Sequence, residues 1–341
     1  MLKSIPVEES VGMVLPHDIT EIVKNVKKGV AFKKGHIIQT EDIPYLKQLG
    51  KDNIYVISLT SSEIHENEAA SMLAQCLAGR GVEYVNNPIE GKIALKASLD
   101  GLLRINKDSL YQFNMLGEVM CSTLHDNTPV TKGETVAATR LIPLVASREL
   151  IAEAEEIALA STPVVEVLPL RKVKIGLVIT GNEVFYGRIE DRFEEVLRLK
   201  AQALGSEILL VRRAPDNKDI IAREIAHCID QGAELIVTSG GMSVDPDDVT
   251  REGILAAGAI DVAYGTPVLP GAMFLSGVIG KVPVLGLPAC GMYHKITVFD
   301  LVLPRILTGE KIGRKEFAEL GHGGLCRNCK VCLYPICNFG K

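Results

Sequence analysis

Two stretches decide the fold: 172–180, KVKIGLVIT, running into Gly181-Asn182-Glu183, and 235–248, LIVTSGGMSVDPDD. Each contains a short run of β-branched and aliphatic residues, 175–179 in the first and 235–237 in the second, the pattern of a strand covered on both faces. Each breaks into glycine at its carboxyl end. Between them lie a helix-spaced set (Phe193, Val196, Leu197, Ala201, Leu204) closed by Gly205, a second strand at 208–211, and a helix from Asp216, read as its cap, to Gln231. Further strands are expected around Val262 and Val284, with a last helix from about Tyr293. Strand, loop and helix alternate as in an α/β fold with an open, mostly parallel, doubly wound sheet.

Working outward, the chain of 341 residues exceeds what one core supports, so several domains are expected. The segment 1–62 reads as a small α+β module: Thr40 as a helix cap, Gly50 ending that helix, and a strand at 53–59. Residues 63–165 read as a β-rich module with flanking helices, at 63–79 and 152–160. Pro163 and Pro169 mark a change of domain, the α/β domain occupies 170–310, and 311–341 is a cysteine-rich tail. His65-Glu66 lacks the spacing of a metal-binding helix and reads as a solvated helix start.

Hydrophobic residues make up 47% and charged residues 23%, as in well-packed globular chains. A net charge of -5 without a basic block argues against nucleic acid as a partner. No apolar run approaches the roughly 18 residues of a membrane span, and the first residues lack the apolar stretch of a signal peptide, so a cytoplasmic protein without membrane partners is expected.

In an open α/β sheet, ligands bind beyond the carboxyl ends of the strands. Three loops fall there: Thr180-Gly181-Asn182-Glu183; Ser239-Gly240-Gly241-Met242-Ser243 with Asp245, Asp247 and Asp248; and Pro288-Ala289-Cys290-Gly291. Glycines let backbone amides approach an anion, and Ser239 and Ser243 add hydroxyls, a set suited to a phosphate or phosphate-bearing pterin. The adjoining carboxylates suit Mg²⁺ or the exchange chemistry of a metal oxyanion. The plain alternative is a tight turn whose aspartates cap the next helix. Cys290 could be a sulfur ligand or an inert loop thiol.

The order TGNE (180–183), TSGGMSVDPDD (238–248), PVLPGAMF (267–274) and LGLPACGMYHK (285–295) resembles the molybdopterin-binding domain shared by MoeA, gephyrin and MogA-type proteins of molybdenum cofactor biosynthesis. The amino-terminal FKKGHIIQTEDIPYLKQLGKDNIYV (32–56) more weakly resembles the region preceding that domain in MoeA-like proteins. The resemblance implies a homodimer that binds molybdopterin. It places Thr180, Gly181, Asn182, Ser239, Gly240, Gly241, Ser243, Pro270, Gly271 and Pro288 at the cofactor, and Glu183 and Asp248 in catalytic roles. The implied activity is a molybdopterin molybdotransferase acting on molybdopterin and molybdate. The alternative is a non-catalytic carrier that delivers finished cofactor to a molybdoenzyme apoprotein.

Several positions depart from the family pattern. Asn182 stands where many members carry Asp, and Arg192-Phe193 replace a Ser-Asn pair after the retained Asp191. Asp245 replaces a glycine, and Ala289-Cys290-Gly291 replace Gly-Asn-Pro. These changes remove side chains that would grip pterin or molybdate, and the missing Ser-Asn pair and altered last loop favour the carrier.

The tail carries Cys326, Cys329, Cys332 and Cys337 in a C-x2-C-x2-C-x4-C array. Three cysteines at successive x2 spacing can wrap corners of a 4Fe–4S cubane, with the fourth returning after Pro335. A compact zinc site is the alternative.

Overall fold

A computed structural model describes residues 2–23, 27–57 and 59–341 of the chain, so Ser58, inside the strand expected over 53–59, lies outside the described residues. The chain divides into two compact units. One comprises residues 1–99, 104–124 and 132–167, the other residues 100–103, 125–131 and 168–341.

The second unit holds the α/β sheet. Its elements are β1 (Lys174–Thr180), α1 (Phe193–Ala203), β2 (Glu207–Ala214), α2 (Lys218–Asp230), β3 (Leu235–Ser239), α3 (Thr250–Ala256), β4 (Ile260–Tyr264), β5 (Leu275–Ile279), β6 (Val282–Leu287) and α4 (Val298–Leu307). The strand order is β2-β1-β3-β6-β5-β4. β2, β1, β3 and β6 run parallel, whereas β5 is antiparallel to both of its neighbours. The open, mostly parallel sheet expected from the unbroken apolar runs is therefore what the chain forms.

Ile175, Leu177 and Ile179 of β1 face a core shared with Phe193, Leu197 and Ala201 of α1 and with most of α4. Val178 faces the opposite core with Ile221, Ile225 and Cys228 of α2 and Ile254 of α3. Each fully buried Leu or Ile side chain contributes roughly 1.5–3 kcal/mol, so covering both faces stabilises the sheet strongly. At Gly176 an added Cβ would lie 2.7 Å from Cys228 Cβ, which is why this strand position carries no side chain.

Two boundaries differ from expectation. The helix expected from about Tyr293 starts at Val298, because Thr297 and Asp300 form a capping box there and only the short turn Cys290–Tyr293 precedes it, and it is not the last, since the helix Arg314–Glu319 follows. α2 is capped by Asn217, whose side chain accepts from the Asp219 and Ile220 amides, which leaves Asp216 available for another contact. The strand Leu275–Ile279 was not expected, since Ser276 and Gly277 interrupt its apolar run. Ser276 is nonetheless buried, and its hydroxyl donates to Ile312 O at 2.9 Å.

In the first unit, Leu2–Pro6 pairs antiparallel with Asn53–Ile57 over a core that includes Leu15, Phe32, Ile38 and Leu46. Thr40 does not cap the helix Asp42–Gln48; Glu41 occupies that position without a side-chain bond. Asp42 itself accepts from Gln39 N at 2.8 Å and from His36 Nε2 at 2.6 Å. A four-stranded antiparallel sheet follows, in the order Val82–Tyr84, Lys92–Ala97, Thr135–Leu141, Val119–Thr123, with helices Glu66–Leu77, Lys107–Met115 and Arg148–Leu159 in the same segment. The helix Lys107–Met115 lies where the sequence read as mostly β. Asn106 caps it by accepting from Ser109 N at 3.1 Å. Among the described residues, no helix is long and apolar enough to cross a membrane.

The expectation of a solvated helix start at His65-Glu66 is corrected. His65 does cap the helix Glu66–Leu77, but both residues are buried. His65 Nε2–H donates to Pro16 O at 2.8 Å, and Nδ1 accepts from Lys34 Nζ at 2.9 Å and Asn67 N at 3.2 Å. The ring is thus held neutral, and burial lowers its pKa below the usual 6.5. Below that value the unfolded chain takes up a proton that the folded ring refuses, so stability is lost as pH falls through about 6.5. Burial raises the pKa of Glu66, which acts in the opposite sense at lower pH. Urea midpoints should fall between about pH 7 and about pH 5, and His65→Asn should flatten that slope. Equal slopes for the two proteins would refute the assignment.

Candidate functional site

The carboxyl ends of β2, β1, β3 and β6 lie side by side, and backbone and side-chain bonds stitch the loops that leave them. Gly181 N donates to Ala214 O at 3.2 Å, and Gly240 N donates to Leu287 O at 3.3 Å. Asn182 and Asp216 bond reciprocally, Asn182 N to Asp216 Oδ2 at 2.9 Å and Asp216 N to Asn182 Oδ1 at 3.2 Å. Thr180 Oγ1 donates to Ser239 O at 3.0 Å and lies 2.7 Å from Thr250 Oγ1 at the start of α3. Thr180 is buried, so its hydroxyl ties β1, β3 and α3 together.

Glycine is required at the β3 turn. Gly240 and Gly241 take φ of 91° and 54°, and a Cβ would lie 2.5 Å from Thr180 O at the first and 2.4 Å from Thr250 Oγ1 at the second. Ser239 is fully buried, and its Oγ is among the buried polar atoms without a hydrogen-bond partner among the described residues. Ser243 is exposed, and Glu183 is exposed beside Gly181, its carboxylate packed where a Cβ on that glycine would lie.

The aspartates of the β3 loop do not cap α3, whose N-cap is Val249 with no side-chain bond. They fold on themselves instead: Asp248 N donates to Asp245 O at 2.9 Å, and Asp245 N donates to Asp248 Oδ2 at 3.3 Å. Across from them burial raises the pKa of Asp216, and the charges of Glu183, Asp247 and Asp248 add to the rise. The charges of these three acids therefore reach Asp216 at the strand edge beside the glycine-rich turns.

Asp216 was missed as a site residue because it reads as a helix cap, although the strand-end rule that singled out the other loops also reaches it. Thr250 and Tyr264 left no signal. The Tyr264 hydroxyl donates to Met242 O at 2.7 Å and fixes the β3 loop from the end of β4.

Pro270 and Gly271 make their contacts with α4 and its entry. Val298 N donates to Pro270 O at 3.2 Å, and a Cβ on Gly271 would lie 2.4 Å from Val298 Cγ1. Pro288 follows β6, where Gly291 N donates to its carbonyl at 3.0 Å. Burial raises the pKa of the neighbouring Cys290 thiol, which disfavours the thiolate that a ligand or nucleophile needs. Cys326, Cys329, Cys332 and Cys337 are free thiols that line one cavity of about 370 Å³. Among the described residues, no three His, Cys, Asp or Glu side chains are placed together to hold a metal.

A mostly parallel α/β sheet with glycine-rich turns and carboxylates along one carboxyl edge has the architecture in which ligands bind beyond the strand ends. More narrowly, residues 176–308 match the family described as a probable molybdopterin binding domain, which supports a place for this part of the chain among molybdopterin-binding proteins of molybdenum cofactor biosynthesis. Residues 4–58 match a domain of unknown function. The chain is 29% identical over 166 residues to the molybdopterin molybdenumtransferase of Haemophilus influenzae, covering 46% of this chain and 41% of that protein. It is 37% identical over 79 residues to a CinA-like protein of Mycobacterium tuberculosis, covering 23% of this chain and 18% of the other. The chain thus spans less than half the length of either relative. A solved MoeA protein from Pyrococcus horikosii superposes with a TM-score of 0.33 and 16% identity, over 91% of this chain and 75% of that one.

Proposed function

We propose that the chain is a MoeA-like molybdopterin molybdotransferase that binds molybdopterin across the β1, β3 and β6 loops and exchanges molybdate onto the dithiolene sulfurs. The observation that carries the reading is the gathering of the glycine turns at Gly181, Gly240 and Gly241 along the carboxyl edge of the sheet, beside the carboxylates Glu183, Asp216, Asp247 and Asp248. The turns suit the pterin phosphate, with Asn182, Ser239, Ser243 and Pro288 around it and Pro270-Gly271 flanking. Mg²⁺ would neutralise the carboxylates. As metal–sulfur bonds form, the two thiol protons leave and an oxygen of molybdate departs as water; Glu183 and Asp248 are assigned to orient the oxyanion and accept protons. In the same proposal the protein works in the cytoplasm as a homodimer and serves a molybdoenzyme apoprotein.

A carrier without turnover is the second reading, favoured by Asp191 and Phe193. Phe193 is a core residue of α1. Asp191 Oδ1 accepts from Phe193 N at 2.8 Å, and Oδ2 lies 3.4 Å from Arg213 Nη2, so this acid is committed to structure.

Anaerobic titration with molybdopterin, with and without molybdate, followed by mass spectrometry of the bound species, separates the readings. Binding followed by metal gain is expected for the transferase, and binding without change would establish the carrier. Failure to bind molybdopterin at all would sink both.

A further inference from the structure

We propose that Cys326, Cys329, Cys332 and Cys337 form a single thiolate site for a soft metal centre, an iron–sulfur cluster or a zinc ion, inside the tail cavity. The inference is independent of the pterin reading, because it rests on residues of the tail and the wall against which the tail lies.

The tail is held to the α/β unit at several points. Leu269 N donates to Gly324 O and Cys326 N donates to Leu269 O, both at 2.8 Å, so the first cysteine is pinned in a short parallel bridge. At the far end Gly340 N donates to Gly323 O at 2.9 Å, and Phe339 is buried. Tyr334, between the third and fourth cysteines, donates its hydroxyl to Asp300 O of α4 at 3.3 Å. The segment is thereby closed into a ring that carries all four thiols, and all four line the same cavity of about 370 Å³.

Within the ring the cysteines differ. Cys326 and Cys337 are partly buried against the core, whereas Cys329 and Cys332 are exposed on a stretch with no helix or strand. Two ligands are therefore fixed, and two sit where small backbone rotations can bring their sulfurs inward. The x2 spacings put Cys326, Cys329 and Cys332 within reach of one centre, as cluster-binding loops require.

Charge and polarity agree with that occupant. Four thiolates around Zn²⁺, or around an oxidised cubane, carry a net negative charge of about two. Among the described residues lining the cavity none is Asp or Glu, while Lys295, Arg327 and Lys330 are present to balance it. The apolar side chains of the ring, Leu325, Val331, Leu333 and Ile336, are 71%, 70%, 56% and 87% exposed. Drawing Cys329 and Cys332 inward would shield a cluster with some of that surface, and apolar shielding controls solvent access at metal sites.

The test compares the full chain with the C329S/C332S double variant, both purified anaerobically and reconstituted with ferrous iron and sulfide or with zinc alone. About four iron and four sulfide per chain would identify a cubane, and about one zinc would identify a structural tetrathiolate. Either is expected to fall to background in the double variant, whose circular dichroism should match the parent because both replaced residues are exposed. A folded parent that takes up neither metal would overturn the proposal, as would a double variant that keeps its metal.

Discussion

Gly240→Ala is expected to lower the free energy of unfolding by roughly 2–4 kcal/mol and to abolish ligand binding at the strand edge. Two costs add. The backbone φ of 91° is one that side-chain-bearing residues rarely adopt, and the new Cβ would lie 2.5 Å from Thr180 O and 3.1 Å from Thr180 Oγ1. Neither atom can withdraw. Thr180 is in register with Ala214 of β2, and its hydroxyl is engaged with Ser239 O and Thr250. Relief must come from moving the β3 turn, whose amides are the proposed anion site. Gly232→Ala is the matching control, since Gly232 has φ of 92° but nothing within 4 Å of its would-be Cβ. That variant should cost only the backbone term, about 1 kcal/mol, and leave ligand binding intact. Urea titrations of both variants, followed through the transition of the α/β unit, measure the difference. Equal losses would mean that the contact with Thr180 contributes nothing.

The second large effect concerns chemistry. Glu183→Ala combined with Asp248→Asn is expected to reduce molybdate-dependent conversion of molybdopterin at least about 100-fold, with the affinity for the pterin changed less than about 10-fold. Glu183 is exposed beside Gly181, and its removal deletes no contact of the core. Asparagine at 248 keeps an acceptor for Asp245 N, so the loop bond at 3.3 Å survives. What the pair loses is negative charge next to Asp216, whose own pKa is raised by burial and by these neighbours. Single-turnover mass spectrometry of the bound pterin would read both quantities. Conversion by the double variant at the parent rate would remove these residues from any catalytic role, and a collapse of binding alone would make them pterin or Mg²⁺ ligands instead.

Much of the α/β unit was legible in the sequence because its physics is local. KVKIGLVIT and LIVTS contain the apolar runs 175–179 and 235–237, as strands buried on both faces must, and the glycines after them mark turns that only glycine can make. Loops that follow parallel strands fall on one edge by topology, so the 180–183, 239–248 and 288–291 segments could be grouped before their contacts were known.

What escaped depended on partners distant in sequence. Ser276 and Gly277 sit inside a strand because Ile312 O, 36 residues away, accepts the serine hydroxyl in the interior. Asp216 and Asn217 are adjacent polar residues, and either could cap α2; the reciprocal bond from Asn182 decided that Asp216 turns toward the site. His65 and Glu66 resemble any solvated helix start until Pro16, Lys34 and the surrounding fold bury them. The strand and helix alternation, the glycine turns and the spacing of the tail cysteines are legible from the chain alone, since each depends on residues within a few positions of one another. The fold was needed to show that Thr180 is a pin rather than an open hydroxyl, that the charges of Glu183, Asp247 and Asp248 reach Asp216, and that residues 293–296 close a cavity wall with the tail cysteines, because each is a meeting of residues that the chain order keeps apart.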